Sequence, residues 1–292
     1  MDNTQWYVCH AFIDKKAEET KKTLLSFLPP EKQKEFSSIS PCTFDLTLGF
    51  NQVRQLLQWS HYSWFAPILR TLPENEISIF LSAFPEEKAK QLSECLLFSS
   101  PLSPLSPISK AFIQKEIIKA LLEKIPNLPP IESLLPSSLN KLLELSSYQL
   151  SLLIDFLGLY DLAIEMRLVI DTIKIKKIQS VLSKEKIVFL SLISSRQEPP
   201  LFKRSELNLW NEKTEDLLNL LHKKGMNRLA KVLHPEDPNF VYYINLRMST
   251  DQVAIFSPLH KKSEHAKTYK ILAGQIMDVL TFFKKHNLQA SA

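Results

Sequence analysis

Apolar residues recur along this chain at the three- and four-residue spacing of an amphipathic helix. The spacing is clearest within residues 61–97, where Ile77, Phe80, Leu81 and Phe84 fall at i, i+3, i+4 and i+7. Residues at these positions lie on one face of a helix. The same period continues in short segments through most of the remaining sequence. The pattern therefore predicts an all-α protein built from short helices.

Proline followed by glutamate marks where several of these helices begin. A Pro-Glu pair at 73–74 recurs at 85–86, each time directly after a large apolar residue. Proline is tolerated in the first turn because its missing N–H would be unpaired there, and glutamate meets the positive end of the helix dipole. Helices this short cannot bury their apolar faces alone. We therefore expect them to stack, with Leu69, Phe80 and Leu81 buried between them.

This repeated unit resembles the helical repeat in the middle and C-terminal domains of flagellar motor switch proteins. The resemblance rests on an apolar run, Leu-Pro-Glu-Asn-Glu at 72–76, a second apolar run, and Phe-Pro-Glu-Glu-Lys-Ala at 84–89. The chain departs from that pattern in the aromatic residues Trp59, Tyr62, Trp64 and Phe65 at the front of the unit. Its Lys-, Ser- and Leu-rich, glycine-poor composition also resembles cytosolic components of bacterial type III secretion systems.

The resemblance implies short stacked helices of the armadillo-like or motor-switch-like kind and a non-enzymatic adaptor or scaffold of type III protein secretion. Such a protein would be cytoplasmic, or located at the cytoplasmic face of the inner membrane through its partners. Those partners would be a membrane-anchored ring and cytosolic platform components, with no small-molecule substrate and no cofactor. A type III secretion chaperone or regulator is the alternative within the same system.

A proline-rich segment divides the helical patterning. Residues 99–107 read SSPLSPLSP, with a proline at every third position. This period favours polyproline II, which makes a semi-rigid spacer. We interpret the segment as a linker between an N-terminal helical repeat domain (1–98) and a C-terminal helical domain (108–292). The alternative is a Pro-x-x-Pro ligand for an aromatic groove.

Glycine is scarce, since the chain has only four glycines, and all are isolated. Loops that cradle phosphates need several neighbouring glycines, so P-loop and dinucleotide-binding sites are excluded. Gly158 and Gly225 each follow a helical pattern, and Gly225 comes directly after His222, Lys223 and Lys224. Cations followed by glycine are typical of a helix end, so helices are predicted to stop at both glycines.

The segment 239–256 is compatible with two structures. Its aromatic residues alternate with other residues in NFVYYINLR (239–247), which favours a strand, whereas Asp237-Pro238 favours a helix start. If 253–256 is also a strand, a minor β-hairpin near 240–256 joins the helical body.

Positive charge is concentrated in the second part of the chain. Residues 1–170 carry 16 Lys and Arg against 19 Asp and Glu, whereas residues 171–292 carry 20 against 12, giving −3 and +8. A basic half attracts an acidic protein surface, an anionic membrane surface or nucleic acid. The candidate partner-binding residues are Lys174, Lys176, Lys177, Lys223, Lys224 and Arg228.

We expect the acidic protein surface, because the lysines are spread over several helices. The alternative is a nucleic-acid-binding regulator that uses a helix-turn-helix around Gly225.

No motif for catalysis, cofactor binding or metal binding stands out. G-x-S-x-G and H-E-x-x-H are absent, and the three cysteines, Cys9, Cys42 and Cys95, are far apart without a C-x-x-C pair. This cysteine usage suits free thiols in a reducing cytosol. The chain has no apolar run of ~18 residues, and its first residues lack the uninterrupted apolar stretch of a secretory signal.

Overall fold

The computed structural model describes residues 17–38, 55–123, 128–134, 136–196, 199–203, 210–260 and 266–288, together with Ile13, Val53 and Leu207. Every regular element within these ranges is helical, which confirms the prediction of an all-α fold with stacked helices. The α-helices are α1 (Glu18–Ser26), α2 (Pro30–Ser38), α3 (Ala66–Leu69), α4 (Glu74–Ser82), α5 (Glu86–Leu96), α6 (Pro107–Leu121), α7 (Ser147–Met166), α8 (Thr172–Val181), α9 (Lys184–Ser194), α10 (Thr214–Leu233), α11 (Pro238–Arg247), α12 (Thr250–Leu259) and α13 (Ala266–Lys285). Short 3₁₀ helices are found at Tyr62–Trp64, Ile131–Ser133 and Asn140–Glu144.

The opening repeat begins its helices at the predicted positions. Pro73 and Pro85 are the N-cap residues of α4 and α5, and glutamates occupy both first turns. Leu69 and Leu81 are buried, as their spacing predicts. Phe80 differs, because it lies at the flank of this apolar face and keeps part of its ring in solvent. The repeat thus stacks as expected, but its buried apolar face is narrower than predicted because Phe80 is only partly buried.

The two central helices, α7 and α10, are each 20 residues long and form the largest helix–helix interface of the described chain. Gly158 lies inside α7 and Gly225 lies inside α10. The helix ends predicted at these two glycines are therefore wrong.

Both glycines lie where the backbones of α7 and α10 touch. A Cβ atom on Gly158 would lie 2.8 Å from the carbonyl carbon of Leu221 and closer still to its oxygen. A Cβ on Gly225 would lie 2.7 Å from the carbonyl carbon of Ile154 and 3.0 Å from the backbone nitrogen of Gly158. Only glycine permits such an approach, so these residues set the helix spacing rather than the helix ends. Asp155 of α7 meets His222 of α10, and six residues later in both helices Asp161 meets Arg228, so the two helices run in the same direction.

The segment near 240–256 forms helices α11 and α12, so the β-hairpin alternative is wrong. The Asp237 side chain accepts a hydrogen bond from the backbone N–H of Asn239 at 2.7 Å, and Pro238 opens α11. Ser249 and Gln252 form a capping box that opens α12. The alternating aromatic pattern wrongly favoured a strand. Helix α11 is buried on most sides, so it lacks the polar face by which an amphipathic helix is recognised in a sequence.

The proline-rich segment 99–106 is non-helical, and it is held against α4. The Ser78 hydroxyl donates to the carbonyl of Pro101 at 2.9 Å, and the backbone N–H of Ser103 donates to the Ser78 hydroxyl at 3.1 Å. Buried apolar residues on both sides of the segment belong to one continuous core that extends from Leu56 to Phe283. The division into domains 1–98 and 108–292 stays a prediction.

A second, smaller apolar cluster lies near the N-terminus, where Ile13 and Phe36 pack with Leu24, Leu25 and Leu28. The predictions for Cys9, Cys42 and the first residues lie outside the described part of the chain. None of the described helices combines the length and apolar content that crossing a bilayer would require.

The glycine contact can be tested by alanine substitution. Gly158→Ala and Gly225→Ala should each lower the free energy of unfolding by about 3 kcal/mol or more, because the new methyl group meets backbone atoms that cannot move aside. Gly274→Ala is the matched control, since a Cβ there meets nothing within 4 Å. It should raise stability by about 0.5–1 kcal/mol through helix propensity. Urea unfolding monitored by circular dichroism measures all three, and equal effects would contradict the close contact.

Candidate partner-binding surfaces

Helix α8 carries three of the six candidate residues. Asp171 caps this helix by accepting a hydrogen bond from the N–H of Ile173 at 2.8 Å. Ile173, Lys176 and Lys177 then share one face at i, i+3 and i+4 and are exposed. Lys174 lies beside this face and is half-buried. The structure therefore brings Lys176 and Lys177 onto one solvent-facing stripe.

Exposed apolar residues accompany these lysines. Ile170 is 96% exposed, Ile173 65% and Leu168 48%. We call Leu168, Ile170, Ile173, Lys176 and Lys177 together the α8 surface. Lys177 also forms an ion pair with Glu212, which leaves Lys176 as the lysine of this surface without a salt bridge among the described residues. Large apolar side chains grouped in solvent are a feature of interaction sites.

Lys223 and Lys224 lie on α10. Lys223 is exposed, whereas Lys224 is half-buried and donates to the carbonyl oxygen of Lys203 at 2.5 Å. Arg228 lies on the same helix but is only 1% exposed. The prediction that Arg228 contributes to an exposed basic patch is therefore wrong.

Arg228 is buried because it lies one turn beyond Gly225, on the face of α10 that packs against α7. Its Nε and Nη2 atoms donate to the two carboxylate oxygens of Asp161 at 2.8 and 2.9 Å. Its Nη1 atom donates to Oε1 of Gln275 at 2.5 Å, and its guanidinium stacks near the rings of Tyr160 and Phe202. Arg228 thus holds α7, α10 and α13 together and is unavailable to a partner.

The helix-turn-helix interpretation around Gly225 is also wrong. Residues 214–233 form one uninterrupted helix, so there is no turn between two short helices. Without a turn, α10 cannot present a recognition helix in the manner of that motif.

A second polar network lies on the opposite side of the glycine contact. The Nδ1 atom of His222 lies 2.7 Å from one carboxylate oxygen of Asp155, and Lys186 Nζ donates to the other at 2.8 Å. The Gln252 side-chain amide lies 3.2 Å from Nε2 of His222 and 3.3 Å from the Ser151 hydroxyl. Helices α7, α9, α10 and α12 therefore meet in this network.

The hydrogen-bond partners of His222 indicate which ring nitrogen faces a donor and which faces an acceptor. An ionised carboxylate only accepts hydrogen bonds, so Nδ1 carries the proton that is shared with Asp155. The Gln252 carbonyl oxygen already accepts from the N–H of Ser249 at 3.0 Å, so its NH₂ group faces Nε2, which must accept. Gln252 thus stands between His222 and Ser151. The arrangement resembles an Asp-His-Ser triad in composition, but the amide occupies the imidazole nitrogen that a base would use.

Burial alone would raise the pKa of Asp155, but the hydrogen bond from His222 and the nearby charge and hydrogen bond of Lys186 outweigh it and lower this pKa below its usual value. The carboxylate is therefore ionised at neutral pH, as the two donors require. Its interactions stabilise the fold above the ordinary Asp pKa and are lost as the pH falls through the lowered value.

A cleft of about 640 Å³ lies beside this network. It is bounded by residues 58–62, by the start of α5, by the start of α7 and by the start of α12. Its lining is polar and aromatic and includes Gln58, Ser60, His61, Tyr62, Lys88, Gln91, Tyr148, Ser151 and Gln252.

Lys88 has a structural role within this cleft. Its ammonium group donates to the carbonyl oxygens of Leu57 at 2.6 Å, Gln58 at 3.0 Å and Ser60, where the helical segment 55–59 ends. Burial lowers the pKa of Lys88 to about 8, so the amine remains largely charged at neutral pH. All three of its donors are used, which leaves none for chemistry on a ligand.

His61 lies next to Lys88 and caps the 3₁₀ helix Tyr62–Trp64. Its Nδ1 atom accepts a hydrogen bond from the N–H of Ser63 at 3.2 Å. Burial, followed by the charge of Lys88, lowers the pKa of His61 to about 4. The imidazole is therefore neutral at physiological pH, with its proton on Nε2.

Sequence reasoning missed the polar networks and the cleft. One signal for the networks was present, because Asp155, Gly158 and Asp161 have the same three-residue spacing as His222, Gly225 and Arg228. The two polar pairs are both separated by 67 residues. The cleft offered no such signal, since its walls come from four distant parts of the sequence.

No group of three or more His, Cys, Asp and Glu side chains suited to a metal ion occurs in the described ranges. Comparison with protein-family models, with curated proteins and with solved structures finds no match for this chain. The resemblance to motor switch repeats therefore rests on the residues of 61–97, and the functional argument rests on the surfaces described above.

The contrast between Arg228 and Lys223 gives a direct test. Arg228→Met should lower the free energy of unfolding by about 3–5 kcal/mol, because it leaves the Asp161 carboxylate buried without its partner. Lys223→Met, the same substitution type on the exposed side of α10, should change stability by less than about 0.5 kcal/mol. The double variant Asp161→Asn, Arg228→Met should recover part of the loss. Denaturant unfolding measures the stability of all three variants. An Arg228→Met variant as stable as the wild type would contradict the structural role of Arg228.

The neutral state of His61 predicts a pH dependence. Between its folded pKa of about 4 and the ordinary value near 6.5, the unfolded chain binds a proton at this residue and the folded chain does not. Its contribution to stability is therefore fully present above pH ~6.5 and is lost as the pH falls towards ~4.

His61→Asn keeps a good N-cap acceptor but removes the titration. The difference in unfolding free energy between wild type and variant should shift by about 1–2 kcal/mol between pH 7 and pH 4, since solvent screens part of the effect at this half-exposed site. A difference that is constant across this range would show that the imidazole is not held neutral.

Proposed function

We propose that this protein is a non-enzymatic helical adaptor of a type III protein secretion apparatus. It would act in the cytoplasm or at the cytoplasmic face of the inner membrane, binding a membrane-anchored ring or cytosolic platform components. The support for the secretion system is the resemblance of residues 61–97 to motor switch repeats. Within this unit the two Pro-Glu pairs open stacked helices, which is the arrangement that the resemblance implies.

The observation that carries the adaptor function is the α8 surface. Ile173, Lys176 and Lys177 are exposed on α8, and Ile170 is exposed just before this helix begins. Apolar residues supply binding energy when a partner covers them, and lysines at the rim steer and orient an acidic partner. We therefore assign the acidic protein partner to this surface.

Two features expected of a nucleic-acid-binding regulator, an exposed Arg228 and a helix-turn-helix around Gly225, are not found in the described structure. Arg228 is committed to Asp161, and the proposed recognition element is one continuous helix. A secretion chaperone remains the alternative role for the same α8 surface, because both roles require an exposed apolar and basic contact.

The test is recovery of secretion components from the native organism with the tagged full chain, identified by mass spectrometry. The variant Ile170→Ser, Ile173→Ser, Lys176→Glu should lose the recovered components, because it removes both the apolar contact and the steering charge. Lys176→Glu alone should weaken recovery at about 50 mM salt more than at about 300 mM, since screening removes charge steering.

Phe27→Ser is the matched control, because Phe27 is 80% exposed and lies far along the chain from α8. It should leave recovery unchanged. If the wild-type chain recovers no secretion component, or if it binds duplex DNA with a salt slope of roughly one unit per phosphate contact, the adaptor proposal is wrong.

A further inference from the structure

The cleft beside Tyr148 contains several hydrogen-bond donors that the fold does not use. The Ser60 hydroxyl has no hydrogen-bond partner in the described part of the chain, but it is buried, so a ligand would reach it only if neighbouring side chains shifted. The Nε2–H of His61 also lacks a partner there, because only Nδ1 is engaged. The side chains of Gln58 and Gln91 lie in the same cleft. Buried polar groups are normally paired, so this cleft is suited to a ligand that brings acceptors.

Aromatic faces accompany these donors. Tyr62 and Tyr148 both line the cleft, and Tyr148 is 59% exposed. Grooves that combine tyrosine rings with side-chain donors bind polyproline II segments, because proline rings pack on the aromatic faces and the backbone carbonyls accept hydrogen bonds. A volume of about 640 Å³ is within the usual range for a ligand site.

This chain itself displays such a segment. Pro101 and Pro104 are exposed in the non-helical segment, and Pro107 is exposed where α6 begins; residues three apart share one edge of a polyproline II helix. Ser106 has φ −65° and ψ 154°, which are polyproline II angles. The opposite side of the segment is tied to the body, since Leu105 packs on the core and Ser103 is bonded to Ser78. The fold therefore holds the proline edge outward and in one conformation.

We propose that the cleft binds the 99–107 segment of a second copy of this chain. The segment has prolines without N–H groups and therefore an excess of carbonyl acceptors, and the cleft can meet them with the N–H donors of His61, Gln58 and Gln91. A chain's own segment is held on α4 by Ser78, and none of its residues lines the cleft. Each copy carries one segment and one cleft, so the contact would close as a reciprocal dimer or continue into a ring or a longer assembly. The proposal does not depend on the secretion apparatus.

The first experiment uses a capped, fluorescently labelled peptide with the sequence of residues 99–108 and the full-length chain. Fluorescence anisotropy should show saturable binding, and Tyr148→Ala should weaken it by about tenfold, as expected for truncating an aromatic anchor. Tyr148 is exposed, so the variant should keep its fold, which circular dichroism checks. Phe27→Ala, also an exposed aromatic, is the matched control and should bind the peptide normally.

A peptide with alanine at all three proline positions should not bind. If the proline peptide fails to bind, or if the alanine peptide binds equally well, the proposal is overturned.

The second experiment follows the chain itself by sedimentation velocity. The wild-type chain should show association that increases with concentration, and the variant Pro101→Ala, Pro104→Ala should remain monomeric. Adding an excess of the proline peptide should dissociate the wild-type assembly. A wild-type chain that stays monomeric even though it binds the peptide would also overturn self-assembly, because it would show that the segment does not dock when attached to α4.

Discussion

The contact between α7 and α10 at Gly158 and Gly225 is the constraint on which the rest of the structure depends. Two backbones in contact leave no room for a Cβ at either position. Such a contact fixes how far apart the helices are and how they are rotated. One turn to either side, the Asp155–His222 and Asp161–Arg228 pairs fill the space where the helices diverge. The glycines at the crossing and the polar pairs beside it therefore act together to fix how α7 and α10 pack.

The polar pairs also connect α7 and α10 to the surrounding helices. Lys186 brings α9 to Asp155, Gln252 brings α12 to His222, and Gln275 brings α13 to Arg228. A buried ion pair adds little net stability because desolvation opposes it, so we expect these contacts to act mainly by fixing register. The same positioning of α12 against α7 builds one wall of the cleft. The α8 surface lies outside the network, so the proposed partner binding and the proposed self-assembly would use separate elements.

Local sequence determined where most helices begin. Pro73 and Pro85 precede first-turn glutamates, and Ser146 and Ser183 each accept a hydrogen bond from the backbone three residues later. These signals lie within a few residues of the helix start, so they do not require knowledge of the neighbouring helices. Apolar spacing is equally local, and it correctly predicted the all-α class and the burial of residues such as Leu81.

Only the tertiary structure decided the features that depend on a partner helix. Gly225 after a run of cations looks like a helix end, and it became a packing residue because α7 approaches it at Ile154. Arg228 looks like a surface cation, and it is buried because Asp161, 67 residues away, faces it. The exposed lysines of α8 could be predicted from their own helix. The cleft could not, because its donors are left without partners only after distant segments have packed.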